Sequence, residues 1–257
     1  MTIVTITSDW SKGDYYLGAL KGRLISLSKD IELMEVTNSI PPFDVLQEIF
    51  ILKNCYKYYP KGTIHLLGVM SEPSAGNPMV VVFADNHYFI GVNDGRFALL
   101  FDSLPAIAFA IEDDANFSNF SALDLFVRGV ESVIDNSYEL NTFATNIKKE
   151  ITPKVVYNDD SVTGRVVYID SFGNAITNIE RGIFDRLQRG RSFTIFVQGP
   201  YTKITTISHS YSQHLPGEIL ALFNSMGLLE IAVNQGNIAI LENLGTASEI
   251  RIKFNNG

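Results

Sequence analysis

The chain has 257 residues, 46% hydrophobic and 19% charged, with a formal net charge of −8 and a pI near 5.0. That length supports one large domain or two modest ones with full cores, and the acidic balance without a Lys/Arg cluster argues against nucleic acid. Cys55 is the only cysteine, so an internal disulfide and a multi-cysteine metal site are excluded. Apolar runs such as Met79–Ala84 are too short to span a bilayer, and no basic segment followed by an apolar stretch marks an export signal. The expectation is a cytoplasmic protein with no membrane partner, no metal and no bound cofactor.

The first element predicted is a strand. Ile3, Val4 and Ile6 form a β-branched run suited to burial on both faces. It ends at Ser8-Asp9, and Asp14 is placed to cap a helix carrying Tyr16, Leu17, Leu20 and Leu24 on one side. In an open α/β sheet, ligands bind at the carboxyl end of such a strand. There is no phosphate-binding glycine motif here. A carboxylate at that spot suits a ribose diol, whose hydroxyls donate to it; the alternative is an Asx turn before the helix.

A second strand is predicted over 31–37. Asp44 and Gln47 resemble a capping box, ahead of a helix with Val45, Ile49, Leu52 and Tyr56 on one face. Cys55 falls within that pattern and reads as a buried structural thiol. Residues 63–70 form an apolar strand, 71–78 a loop, and Asp85-Asn86 joins two strands as a hairpin. Asn93–Arg96 reads as a turn. Ser121 reads as the N-cap of a helix with Leu125, Phe126 and Val130. His65 reads as a satisfied core histidine, whereas His87, His209 and His214 sit in polar turns without an evident partner.

After Asn136 the texture changes, and a domain boundary is placed near residue 155: an α/β domain over 1–155 and an all-β, barrel-like domain over 156–257. Strands are expected at 165–169, 192–198, 201–207, 228–233, 238–241 and 249–254, with one short helix near 217–223. In Asp170-Ser-Phe172-Gly-Asn174 a strand ends in an acid followed by an aromatic and an amide. An aromatic face stacks on a base and an Asn pairs with a purine edge; the alternative is a polar turn. Asn224-Ser225-Met226-Gly reads as a helix C-cap leading into a strand.

Three pieces together resemble the S-adenosylmethionine hydrolase family, whose relatives include the adenosyl-halide synthases. They are Thr7-Ser-Asp9…Asp14…Gly18…Lys21-Gly22, Asp170-Ser-Phe-Gly-Asn174…Thr177-Asn178-Ile, and Asn224-Ser225-x-Gly-x-Leu-Glu-Ile-Ala. Thr37-x-x-Ile40-Pro-Pro-x-Asp44-Val and Tyr59-Pro-x-Gly62-Thr63-Ile-His65 support them. The resemblance implies an N-terminal α/β domain, a C-terminal β-barrel domain and a homotrimer with sites shared between neighbouring subunits. Asp9 would hold the ribose hydroxyls, with Trp10 and Asp14 nearby. Phe172 and Asn174 would face the adenine, with Ile176 at a position often aromatic in the halogenating relatives. Asp170 would take the methionine ammonium and Ser225, with Met226 beside it, the carboxylate.

The family reaction is an in-line attack on the ribose 5′-carbon, with neutral methionine leaving. An Asp-Arg-His triad is assigned to orienting the water. At the matching positions this chain has Met70, Asn77 or Pro78, and Ser121, and the halide-site hydroxyls are replaced by Pro73 and Ala122. The catalytic candidates left are Glu72, a base if its loop is rearranged and otherwise a solvated loop acid, and Ser121, for which the helix cap is a sufficient role. The expected function is S-adenosylmethionine or adenosine binding with adenosyl transfer to water weak or lost; the alternative is an active hydrolase using an altered arrangement.

Overall fold

The computed structural model describes residues 1–10, 13–101, 103, 108–111, 120–135, 142–149 and 154–255. The chain forms two compact units, Met1–Thr152 and Pro153–Gly257.

The first unit is a mixed seven-stranded sheet with helices. Its strands are β1 (Thr2–Ser8), β2 (Ile31–Thr37), β3 (Ile64–Gly68), β4 (Met79–Ala84), β5 (His87–Val92), β6 (Ala108–Ile111) and β7 (Thr142–Thr145), in the order β2-β1-β3-β5-β4-β6-β7. Strands β1, β2, β3 and β5 are mutually parallel, and Ser8 pairs with Gly68 at the carboxyl ends of β1 and β3. Strand β3 is sealed along its whole length, as its continuous apolar run requires. The β4–β5 hairpin turns on Asp85 and Asn86 at φ +50° and +63°, the left-handed pair that such a tight turn needs.

Helix α1 (Tyr15–Leu27) buries Leu17, Leu20 and Leu24, with Asp14 at the N-cap position but without a side-chain capping bond. Helix α2 (Val45–Lys53) is capped by Asp44, which accepts the Gln47 N–H at 3.0 Å. Cys55 lies just past α2, half-buried, and burial pushes its thiol up to about 11. Where a turn is predicted at Asn93–Arg96, a short helix α3 (Arg96–Leu100) begins. Helix α4 (Ser121–Ile134) buries Ala122, Leu125, Phe126 and Val130. Its N-cap is Phe120, and Ser121 makes no cap; its hydroxyl is turned to Glu72 instead.

The second unit is antiparallel throughout. Strands β8 (Val156–Asn158), β9 (Ser161–Ile169), β10 (Ala175–Glu180), β11 (Phe193–Val197), β12 (Lys203–Ile204), β13 (Ile219–Phe223), β14 (Leu228–Val233) and β15 (Glu249–Phe254) follow the path β12-β11-β15-β9-β10-β14-β13, with β8 on β9. The Ser208 N–H donates to the Ala221 carbonyl at 2.8 Å, so the chain after β12 returns to β13 and the sheet is nearly closed into a barrel.

Three expectations for this unit are corrected. The segment near 217–223 is strand β13, because Ile219-Leu-Ala-Leu-Phe is apolar throughout and carries no period that separates strand from helix. Residues Ile238–Leu241 form a short helix, α6, capped by Asn237, which accepts the Ile240 N–H. Of 201–207, only Lys203–Ile204 is strand. A further helix, α5 (Arg181–Gln188), buries only Phe184 and Leu187, too sparse an apolar face to stand out in the sequence.

Candidate functional site

Two groups of predicted residues each come together, one in each unit. In the first unit they stand at the carboxyl edge of β1 and β3. Because Ser8 and Gly68 are partners, Asp9-Trp10 and Val69-Met70 leave the sheet side by side. Asp9 accepts the Phe43 N–H on Oδ2 at 2.9 Å, and its other oxygen has no protein donor among the described residues. Two residues back, the fully buried Thr7 hydroxyl lacks a partner among the described residues, an uncommon state for a sealed polar atom. The Trp10 ring is buried edge-on against Phe120 at 5.3 Å between centroids. Asp14 is exposed at the start of α1.

At the same edge Met70 adopts φ +46° with its side chain 57% exposed. For a non-glycine residue that backbone is costly, and it is held from below. Arg96, sealed from solvent, donates from Nη1 to the Val69 carbonyl at 3.0 Å and from Nη2 to the Met70 carbonyl at 3.3 Å. Glu48 accepts the Val69 N–H at 2.9 Å and Arg96 Nη1 at 2.9 Å, and Asp94 grips Arg96 through Nε and Nη2. One guanidinium thus faces two carboxylates. Burial raises Glu48 to about 8 against the opposing pull of Arg96 and the Val69 N–H. Burial also works against Asp94, but the hydrogen bonds and charge of Arg96 hold its carboxyl below the ordinary range. Sequence inspection missed this cluster, because its members are 48 positions apart and only folding unites them.

The two catalytic candidates touch. Ser121 Oγ donates to Glu72 Oε2 at 2.7 Å, joining the loop after β3 to the first turn of α4. Asn77, at the far end of that loop, accepts a hydrogen bond from the Lys148 ammonium. The backbone of Lys148 is itself fixed by Asn93, whose Oδ1 accepts the Lys148 N–H at 3.0 Å. A cation therefore reaches a place where no matched position supplies one.

On the amino-terminal half of β3, His65 is a satisfied core residue, bonded to Thr5 Oγ1 at 2.7 Å and to His87 Nδ1 at 3.2 Å. His87 is thus no partnerless turn histidine: it begins β5 and is buried. Burial and the neighbouring His87 push His65 down to about 3, so both rings are neutral packing groups. His214 also has partners, Ser208 Oγ at 2.7 Å and Glu218 at 3.3 Å.

In the second unit a cleft of about 750 Å³ is lined by Asp170, Phe172, Asn174, Tyr211, Glu230 and neighbouring residues. Asp170 organises its rim: Oδ1 accepts the N–H groups of Phe172 and Asn174, both at 2.9 Å, and Oδ2 accepts Asn174 Nδ2 at 2.9 Å. The turn so formed presents the Phe172 ring 75% exposed. Gly173 within it has φ +81°, and a Cβ there would fall 2.1 Å from the Asn237 side chain, so only glycine fits. Glu230, on β14, accepts from the Tyr211 hydroxyl and from Asn224 Nδ2. Burial and that carboxylate raise the Tyr211 phenol, so it stays a donor. Ile176 is buried in β10 opposite Glu230. Ser225 and Met226 are exposed in the β13–β14 turn, which Asn224 fastens by accepting the Met226 N–H; no helix cap is present. Neither residue lines the cleft. Among the described residues no group of three or more His, Cys, Asp or Glu side chains is placed to hold a metal, and no helix is long and apolar enough to cross a membrane.

The chain combines an α/β unit with an acid at a strand's carboxyl end and an antiparallel unit with an acid-aromatic-amide cleft. The sequence matches the SAM hydroxide adenosyltransferase N-terminal domain over residues 4–143 and the C-terminal domain of the same family over 164–251. The chain belongs to the SAM hydroxide adenosyltransferase family. It is 25% identical to the (R)-S-adenosyl-L-methionine hydrolase of Methanocaldococcus jannaschii, covering 99% of this chain and 97% of that protein. It is 22% identical to the hydrolase of the same name from Salinispora tropica, with 97% of each covered. The fold is that of a conserved protein from Thermotoga maritima, at TM-score 0.83 and 22% identity over 98% of this chain and 99% of the other.

Proposed function

We propose that the protein binds S-adenosylmethionine, or adenosine as its nucleoside part, and that it transfers the adenosyl group to water weakly or not at all. The observation that carries the binding is the cleft of about 750 Å³, to which the Asp170 turn offers the exposed Phe172 ring and one carboxylate and β14 offers a second, Glu230. Asp170 and Glu230 are both satisfied by neutral donors, so the cleft keeps negative charge that favours a cationic sulfonium and ammonium ligand. Asp9 takes the ribose diol through its unoccupied oxygen. The family resemblance assigns the ligand carboxylate to Ser225, with Met226 beside it, on the β13–β14 turn outside the cleft lining, and Trp10, Asp14 and Ile176 to the surroundings. The weakness of transfer follows from Met70, which places a thioether where the family resemblance calls for a carboxylate.

The resemblance extends the proposal to a homotrimer in which a second copy completes each site. Light scattering coupled to size exclusion then gives three chains per particle; a monomer mass at working concentration contradicts the shared site. For the ligand itself, a concentration 100 times the dissociation constant adds about 2.7 kcal/mol of stability, a rise of roughly 5–10 °C in Tm for a protein of this size. No rise with either S-adenosylmethionine or adenosine rejects the proposal.

A further inference from the structure

We infer that Glu72, held by Ser121, is the general base for a slow attack of water on the bound adenosyl sulfonium. The inference rests on the binding proposed above and adds to it the group that handles the proton.

Placement carries the argument. Asp9 and Met70 leave neighbouring parallel strands at one edge, and Glu72 follows Met70 by two residues. Ser121 is next to Phe120, whose ring packs on Trp10, the residue after Asp9. The Glu72–Ser121 pair therefore stands over the same strand ends as the ribose-binding acid. Both partners have rigid roots. The loop carrying Glu72 starts from a corner fixed by the buried Arg96 and Glu48, and Ser71 beside it is buried. Ser121 begins a 14-residue helix anchored by Ala122, Leu125 and Phe126. The left-handed backbone of Met70, two residues before Glu72 and held by the buried Arg96, is strain of the kind that clusters at functional sites.

The chemistry balances. Water's oxygen forms the new bond to the 5′-carbon as the carbon–sulfur bond breaks, and the electron pair of that bond leaves on sulfur as neutral methionine. The water proton passes to the Glu72 carboxylate and then to solvent. The Ser121 hydroxyl, which donates to Oε2, leaves Oε1 as the oxygen that faces water. A positioned base of this kind is worth about 10²–10⁴ in rate.

The test pairs calorimetric Kd with adenosine release in ¹⁸O-labelled water for wild type, Glu72→Gln and Ser121→Ala. Glu72 and Ser121 are not core residues, so an unchanged Tm confirms that the variants fold. The expected result is slow release carrying the label in the 5′-hydroxyl, about 10²-fold slower in Glu72→Gln with Kd unchanged, and about tenfold slower in Ser121→Ala. Tight binding with no adenosine released, or Glu72→Gln turning over like wild type, overturns this inference and leaves the binding proposal standing. No binding at all overturns both.

Discussion

Arg96 Nη1 lies 2.9 Å from Glu48 Oε2, with both side chains fully sealed from solvent. A second acid, Asp94, shares the same guanidinium, so the cluster holds one more carboxylate than it has cations. The excess falls on Glu48, which burial raises to about 8. A raised carboxyl binds its proton more tightly in the folded chain. Its contribution to stability is complete below the ordinary carboxylate range and is lost as pH climbs to about 8.

The first prediction follows from that sign. Between about pH 5 and pH 8 the wild type should lose stability by up to about 1.4 kcal/mol per pH unit through this group. Glu48→Gln, which cannot ionise, should flatten the slope. Urea midpoints at several pH values test it; parallel curves for the two proteins contradict the assignment of the excess charge to Glu48.

At the acid end one contributing group is His65, pushed down to about 3 by burial and by His87. A depressed imidazole contributes stability that is present above its unfolded value near 6.5 and is lost as pH falls. His65→Phe keeps a ring against Phe89, on which His65 stacks at 5.0 Å, but strands Thr5 and His87. It should cost about 1–3 kcal/mol at neutral pH and make stability less dependent on pH below 6. An unchanged acid midpoint would remove His65 from the account.

In the second unit the most sensitive position is Gly173. An added methyl meets Asn237 at 2.1 Å in a left-handed turn, so Gly173→Ala should destabilise by about 1–3 kcal/mol and weaken S-adenosylmethionine binding as the Asp170 turn opens. Wild-type stability and affinity together would show that the turn is not the rim of the site.

Much of the fold is legible because strand β1, the Asp85-Asn86 turn and helix α4 each agree with a local rule. Elements with an apolar run but no period are not, so the sequence over β13 reads as a helix and that over α6 as a strand. The candidate residues Asp9, Asp170, Phe172 and Asn174 stand out in the sequence as motifs at strand ends. Their partners do not. The Arg96–Glu48 brace, the Lys148–Asn77 contact and the Tyr211–Glu230 pair join residues far apart in sequence, and Ser121 looked like a cap because its hydroxyl's true acceptor, Glu72, lies 49 positions away.

The most direct measurement is titration calorimetry of S-adenosylmethionine into the wild type and into Phe172→Ala. Phe172 is 75% exposed, so removing its ring leaves the fold intact while deleting a stacking face worth about 1–3 kcal/mol. Saturable binding at about one ligand per chain, weakened about tenfold or more in Phe172→Ala at unchanged Tm, is the predicted result. An absence of binding heat across temperatures, or a Kd that ignores Phe172, would contradict the nucleoside site.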